Sequence, residues 1–458
     1  MLLRSAFGMM MMLAACQPIG HVNDAPTRAA GTPSGLRLPP MKLFAESRGG
    51  RGTITASNTD IGRDFLDLAF RLESGRVLPV LTRFEGPITV RAIGTMPSGM
   101  TTELDRVLTR LKKEAGLDIS RTTGEANITV QAVSGSQIRR YLPQAACFVV
   151  PNISRLSQYG AARRRNETSW TTLKTRDTIA IFVPNDVSPQ EVRDCLHEEL
   201  AQAIGPLNDL YRLNASVFND DNIHTVLTPY DMLILRVFYD PELQSGMTRE
   251  QVAARLPGIL ARLNPGGAGR STHVLPETPR PWIIAIQNAL GPGASPSGRL
   301  RAANSALDIA SARGWTDHRM GFSHYALGRL LQARDPAKAL THYRRADAIF
   351  ARSGETTIHR AFVSVQLAAH AVARGQGEEA LKILNGKAEL ARGHENAALL
   401  ASIMMLQAEA LDLTGRVAQA QAIRRDSLGW ARYGFGPEWA VRAKLSEVAA
   451  LNPTRTGG

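Results

Sequence analysis

The sequence predicts an α+β domain followed by an all-α region built of helical hairpins. Three observations predict it. Between Asp60 and Leu263, helix-periodic and strand-like stretches alternate. An apolar run, Thr178-Ile179-Ala180-Ile181-Phe182-Val183, leads directly into a helix with clear start and stop signals. From about residue 300 onward the pattern is helical throughout, and Ala-containing pairs recur at intervals of about 40 residues.

The elements follow in order. Residues 60–72 form an amphipathic helix with Phe65, Leu68, Ala69 and Leu72 on one side, and 87–93 are strand-like. Thr102, with Asp105 three residues on, opens a second helix over 102–115. Strands are expected over 126–133, 146–151 and 177–184, the last apolar on both faces and therefore interior. The next helix is signalled by Ser188 as cap, Pro189 in the first turn and Glu191 three after the cap. Gly205-Pro206 stops it. Residues 207–225 are polar and irregular. Thr228-Pro229-Tyr230-Asp231 repeats the cap, proline and acid signature, and that helix ends at Asp240-Pro241. A short helix is expected over 247–263, with turn signals at Asn264-Pro265-Gly266-Gly267 and at Gly291 to Ser297. Beyond these, Ala339-Leu340, Ala380-Leu381 and Ala420-Gln421 each follow a turn. Ala326, Leu367 and Gln407 stand thirteen residues before them in a preceding helix. Small residues at a fixed period indicate stacked helical hairpins. They resemble a long variety of tetratricopeptide repeat over roughly residues 300–450.

The N-terminus carries one Arg4, a short apolar run, and Leu13-Ala14-Ala15-Cys16. Such a run is a signal peptide too short to span a bilayer. The small residues leading into Cys16 resemble a bacterial lipobox, which implies lipidation of Cys16 and a membrane anchor. With Gln17 next, the resemblance leans to the outer membrane, facing the periplasm. Cys147 and Cys195 then remain in an oxidising compartment, which favours a disulfide between them. Hydrophobic residues make up 44% of the chain, enough for a sizeable core. The net charge of +13 points to anionic headgroups or acidic partners, or to a merely solvated basic surface. Nucleic acid is not an expected partner in the periplasm.

The chemistry is concentrated in the helix that opens at Ser188. Glu198 and Gln202 lie four apart on one face, with Glu199 one step round, as on a helix that presents two metal ligands and a general base. The element order and this stretch resemble the zincin metallopeptidases, matrixin-like ones especially, over residues 60–243. Their H-E-x-x-H-x-x-G-x-x-H signature falls here on Glu198, Glu199, Gln202, Gly205 and Asn208, with Asp209 beside the last. Ser216-Val217-Phe218 stands where those enzymes turn beneath the metal with a methionine. The resemblance implies a mixed sheet with an active-site helix, Glu199 as general base, and a metal held by Glu198, Gln202 and Asn208 or Asp209. His197 and His224 are further candidate ligands, and Asp220 or Asp221 could complete an all-oxygen set.

The departures bear on the metal. Zinc prefers imidazole and thiolate, whereas Gln and Asn are neutral oxygen donors. An all-oxygen set suits calcium or magnesium. His197 sits about 100° round the helix from Glu198 and cannot stand in for it. Each residue also has a plain reading, Glu198 and Glu199 as solvated acids and Asn219-Asp220-Asp221-Asn222 as a polar turn. The runs C-L-H-E-E-L-A-Q-A-I-G-P-L-N-D-L-Y-R-L and S-V-F-N-D-D-N-I-H-T-V-L-T-P-Y-D look like a proteobacterial family, domain of unknown function 2927, whose members often read as lipoproteins.

The expected division is therefore a signal peptide (1–15), a tether (16–55), a zincin-like domain (56–265), a linker with a short helix (266–297), tetratricopeptide-like repeats (298–452) and a tail (453–458). Two functions compete. One is a pseudoenzyme whose repeats bind a protein partner. The other is an active metal-dependent peptidase.

Overall fold

The computed structural model describes residues 38–44 and 54–455. They divide into two compact units. One holds Phe44–Thr278 with Gly393–Glu395; the other holds Pro279–Arg392 and Asn396 onward, with the described residues up to Leu43. The signal peptide, Cys16 and most of the tether lie outside the described residues, as does the end of the tail. Among the described residues no helix is long and apolar enough to cross a membrane.

The first unit is an α/β fold around one mixed sheet. In chain order it runs α1 Asn58–Ala69, β1 Ile88–Gly94, α2 Met100–Glu114, β2 Ile119–Arg121, β3 Ile128–Val133, α3 Gly135–Tyr141, β4 Phe148–Pro151, α4 Leu156–Arg164, β5 Ile179–Pro184, α5 Pro189–Ile204, α6 Pro229–Phe238 and α7 Arg249–Leu263. The strand order is β2-β1-β3-β5-β4. β1, β2, β3 and β5 are parallel where they pair, and β4 runs antiparallel to β5 at the edge.

The side-chain alternation of β5 explains why it is buried throughout. Ile179, Ile181 and Val183 join the core beneath α1, α2, α5 and α6. Ala180 and Phe182 face the opposite way and join Phe148, Val150, Leu156 and Tyr159 under α3 and α4. The sequence reading lacked three of these elements. β2 is only three residues long, and α3 and α4 are short arginine-rich helices, yet they cover the second face of the sheet.

The second unit is wholly helical. Its helices are α8 Arg280–Leu290, α9 Pro296–Ala312, α10 His318–Leu331, α11 Pro336–Phe350, α12 Thr357–Ala373, α13 Gly377–Leu384, α14 Lys387–Gly393, α15 Ala397–Leu413, α16 Val417–Phe435 and α17 Glu438–Ala449. Ala339, Ala380 and Ala420 are each fully buried on α11, α13 and α16. Close helix approach is built from small residues. A side chain on Gly328 would meet the Tyr343 ring at 2.7 Å, and one on Gly434 the Ala398 backbone at 2.4 Å. The helix expected inside a linker is α8. It packs with the helical unit instead, its Trp282 fully buried and donating from Nε1 to Ser323 Oγ at 3.0 Å. The division between units falls at Thr278–Pro279, inside the span 266–297 expected as a linker.

Candidate functional site

Helix α5 forms where the sequence places it. Ser188 accepts from the Glu191 N–H, and the Glu191 carboxylate accepts from the Ser188 N–H at 2.9 Å, closing a capping box with Pro189 in the first turn. Its last carbonyls have no partners within the helix. Arg176, fully enclosed just ahead of β5, supplies them. Its guanidinium donates to the carbonyls of Gln202 at 2.7 Å and Ala203 at 2.8 Å, and to that of Gly205. Burial holds its pKa down at about 10. Tyr239 Oη donates to the Ile204 carbonyl at 2.9 Å. Gly205 lies in a tight place, since a Cβ there would meet Leu235 Cδ2 at 2.8 Å and force that side chain to shift. Near the other end, Cys195 is bonded to Cys147, immediately before β4, across a sequence separation of 48.

The irregular stretch after α5 is tied down at several points. Asn208 Nδ2 donates to the Asp67 carbonyl at 2.9 Å. Arg212 bridges Asp64 and Asp67 on α1, at 2.8 and 2.7 Å. Asp231, fully buried at the third position of α6, accepts from Ser216 Oγ, from the Val217 N–H at 3.2 Å and from the Thr228 N–H at 2.7 Å. Burial raises its pKa to about 6. One carboxylate thus holds both the turn at Ser216-Val217-Phe218 and the start of α6.

Along α5 the candidate residues separate into two groups. His197 is buried away from the acids. Its Nδ1 accepts from the Leu227 N–H at 3.3 Å, and desolvation, with Arg193 and Arg110 nearby, pushes its pKa well below the usual histidine range. It is a neutral packing residue between α5 and the entry to α6. His224 contacts the Asn214 carbonyl through Nε2 at 3.1 Å.

Glu198, Glu199, Asp209 and Asp220 instead share one electrostatic environment, together with Glu73 from the turn after α1. Glu198 is half-buried, and desolvation, reinforced by Asp220 and Glu73, lifts its pKa to about 8. Glu199 and Asp209 are pushed well above the carboxylate range, first by desolvation and then by neighbouring acids. Glu199 is buried, and its Oε2 and Asp209 Oδ1 have no hydrogen-bond partner among the described residues. Asp220 accepts from Tyr211 Oη at 2.9 Å. Gln202 is buried one helical turn after Glu198, and its backbone carbonyl accepts from Arg176. Asp221 is engaged within its own turn, accepting from Asn219 Nδ2 and from the Ile223 N–H, both at 3.0 Å. Sequence reasoning missed Glu73, which lies far ahead of α5 in an exposed turn with no motif of its own.

The chemistry of this set can be tested against zinc. The α5 positions offer carboxyl and amide oxygens, both cysteines of the domain are consumed by the disulfide, and the imidazole of α5 is engaged at the α6 entry. Zinc does not fit this set. Among the described residues no group of three or more His, Cys, Asp and Glu is arranged to hold a metal ion.

Residues 58–258 match the model of a family described as a protein of unknown function, DUF2927. The chain thus carries a DUF2927 region over those residues. The match spans α1 to the middle of α7, so the DUF2927 region coincides with the sheet, the α5 carboxyl cluster and the Asp231-anchored turn. No curated protein and no solved structure matches the chain.

Proposed function

We propose that this chain is an envelope lipoprotein anchored through Cys16 and facing the periplasm, most simply from the outer membrane. Its DUF2927 region is a zincin-like pseudoenzyme that binds rather than cuts. Its C-terminal helices are tetratricopeptide-like repeats that take a protein partner. The observation that carries the reading is the composition of α5. Where a zincin presents imidazoles, this helix presents Glu198 and Gln202 in a cluster of carboxyls poorly solvated and biased toward protonation. A mixed sheet followed directly by that helix, an irregular stretch and a closing helix supports the zincin likeness. Buried alanines at the repeating positions support the repeat likeness.

A second reading is favoured by Glu199. Its buried Oε2 lacks a partner among the described residues, and burial with its acidic neighbours pushes its pKa well above the carboxylate range, the kind of perturbation that general acids and bases carry. On that reading the domain is a hydrolase. The test is metal content and cleavage together. The purified full chain, dialysed against a mild chelator, is expected to retain substoichiometric zinc and to leave unstructured protein substrates intact. Stoichiometric zinc with cleavage that Glu199→Gln abolishes in a folded protein would overturn the pseudoenzyme reading.

A further inference from the structure

A cavity of about 250 Å³ opens between the end of β3, α3 and α4, on the face of the sheet away from α5. Its polar lining is Gln131, Gln137, Arg140, Tyr141, Arg155 and Ser157, and among the described residues no carboxylate lines it. The two glutamines are not neutral bystanders. Gln131 Oε1 accepts from the Leu156 N–H at 2.8 Å, and Gln137 Oε1 accepts from the Ser134 N–H at 2.9 Å. A backbone N–H can only donate, so both amide oxygens already accept a bond; this fixes the orientation of each amide and leaves its NH₂ group as a donor. The cavity therefore holds two guanidinium groups, two amide donors and two hydroxyls. Val133 and Leu156 supply its apolar floor.

The surroundings share the bias. Arg139, Arg163 and Arg164 are exposed on the same two helices, and Arg165 follows them. Arg165 is paired with Glu167 at 2.6 Å, and Asp186, beside the start of α3, accepts from the Gly135 N–H. Among the described residues Arg140, Arg155 and Arg164 form no ion pair. Arginines without ion pairs lining a donor-rich cavity are an arrangement that recognises a tetrahedral oxyanion, through charge-assisted and forked hydrogen bonds.

We propose that this cavity binds a phosphate-class anion, with Arg140 and Arg155 as its cationic walls. The anion is either free phosphate or the phosphodiester of an anionic lipid headgroup, and the two sources are separable. The experiment compares three full-length proteins: wild type, the double variant Arg140→Gln with Arg155→Gln, and Arg164→Gln as a control for diffuse charge. All the substituted side chains are exposed, so the core is untouched, and equal melting midpoints in chloride verify this. In the first arm, inorganic phosphate replaces chloride at constant ionic strength and the midpoint is followed. In the second, retention on vesicles of equal parts phosphatidylcholine and phosphatidylglycerol is compared with phosphatidylcholine alone. The N-terminus is common to all three proteins and cancels.

Wild type is expected to be stabilised by phosphate, and the double variant to bind about tenfold more weakly, while Arg164→Gln stays near wild type. If the double variant also loses its preference for phosphatidylglycerol, the headgroup is the source. If only the phosphate response is lost, free phosphate is. Identical behaviour of wild type and double variant in both arms overturns the proposal, as does an equal loss from Arg164→Gln.

Discussion

The guanidinium of Arg176 donates to the carbonyl of Gln202 at 2.7 Å and so closes the end of the helix on which the candidate site is built. Arg176 stands before β5 and Gln202 in the last turn of α5, so a single side chain ties strand entry to helix exit. Its other bonds go to Ala203, Gly205 and Thr82. Replacing Arg176 with Met would leave these buried carbonyls without donors. At roughly 1–3 kcal/mol for each unmade buried bond, the loss of stability is expected to be about 3 kcal/mol or more. Urea unfolding of Arg176→Met measures it. A change near zero would mean that water replaces the guanidinium and that α5 does not depend on it.

The Cys147–Cys195 bond fastens the first half of the helix to the residue just before the edge strand. In a chain-entropy account, closing a loop of this length contributes on the order of 4 kcal/mol. Peptide mapping without reductant should recover the two cysteines linked. Reduction, or Cys195→Ser, should lower the melting midpoint of the first unit. Free thiols at both positions in protein isolated without reductant would contradict the pairing.

What was legible in the sequence was local. Ser188-Pro189-Gln190-Glu191 and Thr228-Pro229-Tyr230-Asp231 are complete capping signatures, and both helices start within a residue of them. The doubly apolar run over β5 announced an interior strand, and all six of its residues are buried. What stayed hidden was either short or distant. β2 has three residues, and α3 buries little besides Ile138, too little periodicity to read. The apolar residues of α4, Leu156, Tyr159 and Ala162, do recur every three residues, but among arginines that mask the pattern. Arg176 and Glu73 act on α5 only through the fold, and no spacing in the chain connects them to it. The same is true of Asp231. Its capping role was readable, but its hold on Ser216 and Val217 was not.

Cys16 lies outside the described residues, and its role rests on the residues before it. Cys16→Ser is expected to abolish metabolic labelling with a fatty acid and to move the protein from the membrane fraction to the soluble one. Unlabelled wild-type protein with unchanged fractionation would remove the anchor from the proposal.

The carboxyl cluster makes the stability of the first unit depend on pH, and the sign can be worked out. Glu198 has a folded pKa of about 8 against an ordinary value of 4.5, and Glu199 and Asp209 shift in the same direction. Between those limits the folded state binds more protons than the unfolded chain. Stability therefore falls as pH rises, by at most about 1.4 kcal/mol per pH unit for each proton retained. The stabilisation is complete below about pH 4.5 and is lost as pH climbs through about 8. Because Glu198 is half-exposed to solvent screening, its share should lie below that ceiling. The melting midpoint at pH 5 should exceed that at pH 8, and Glu198→Gln should flatten the slope, since the amide keeps the shape and removes the ionisation. Arg176, with its pKa near 10, does not titrate in this window. Adding calcium or magnesium at pH 8 then separates two states of the site. If the cluster accepts a hard cation, the carboxylates ionise around it and the loss at high pH is recovered, reversibly with a chelator. If the midpoint at pH 8 does not move with either ion while Glu198→Gln still raises it, the cluster is a proton-holding site, and the all-oxygen metal reading of α5 is wrong.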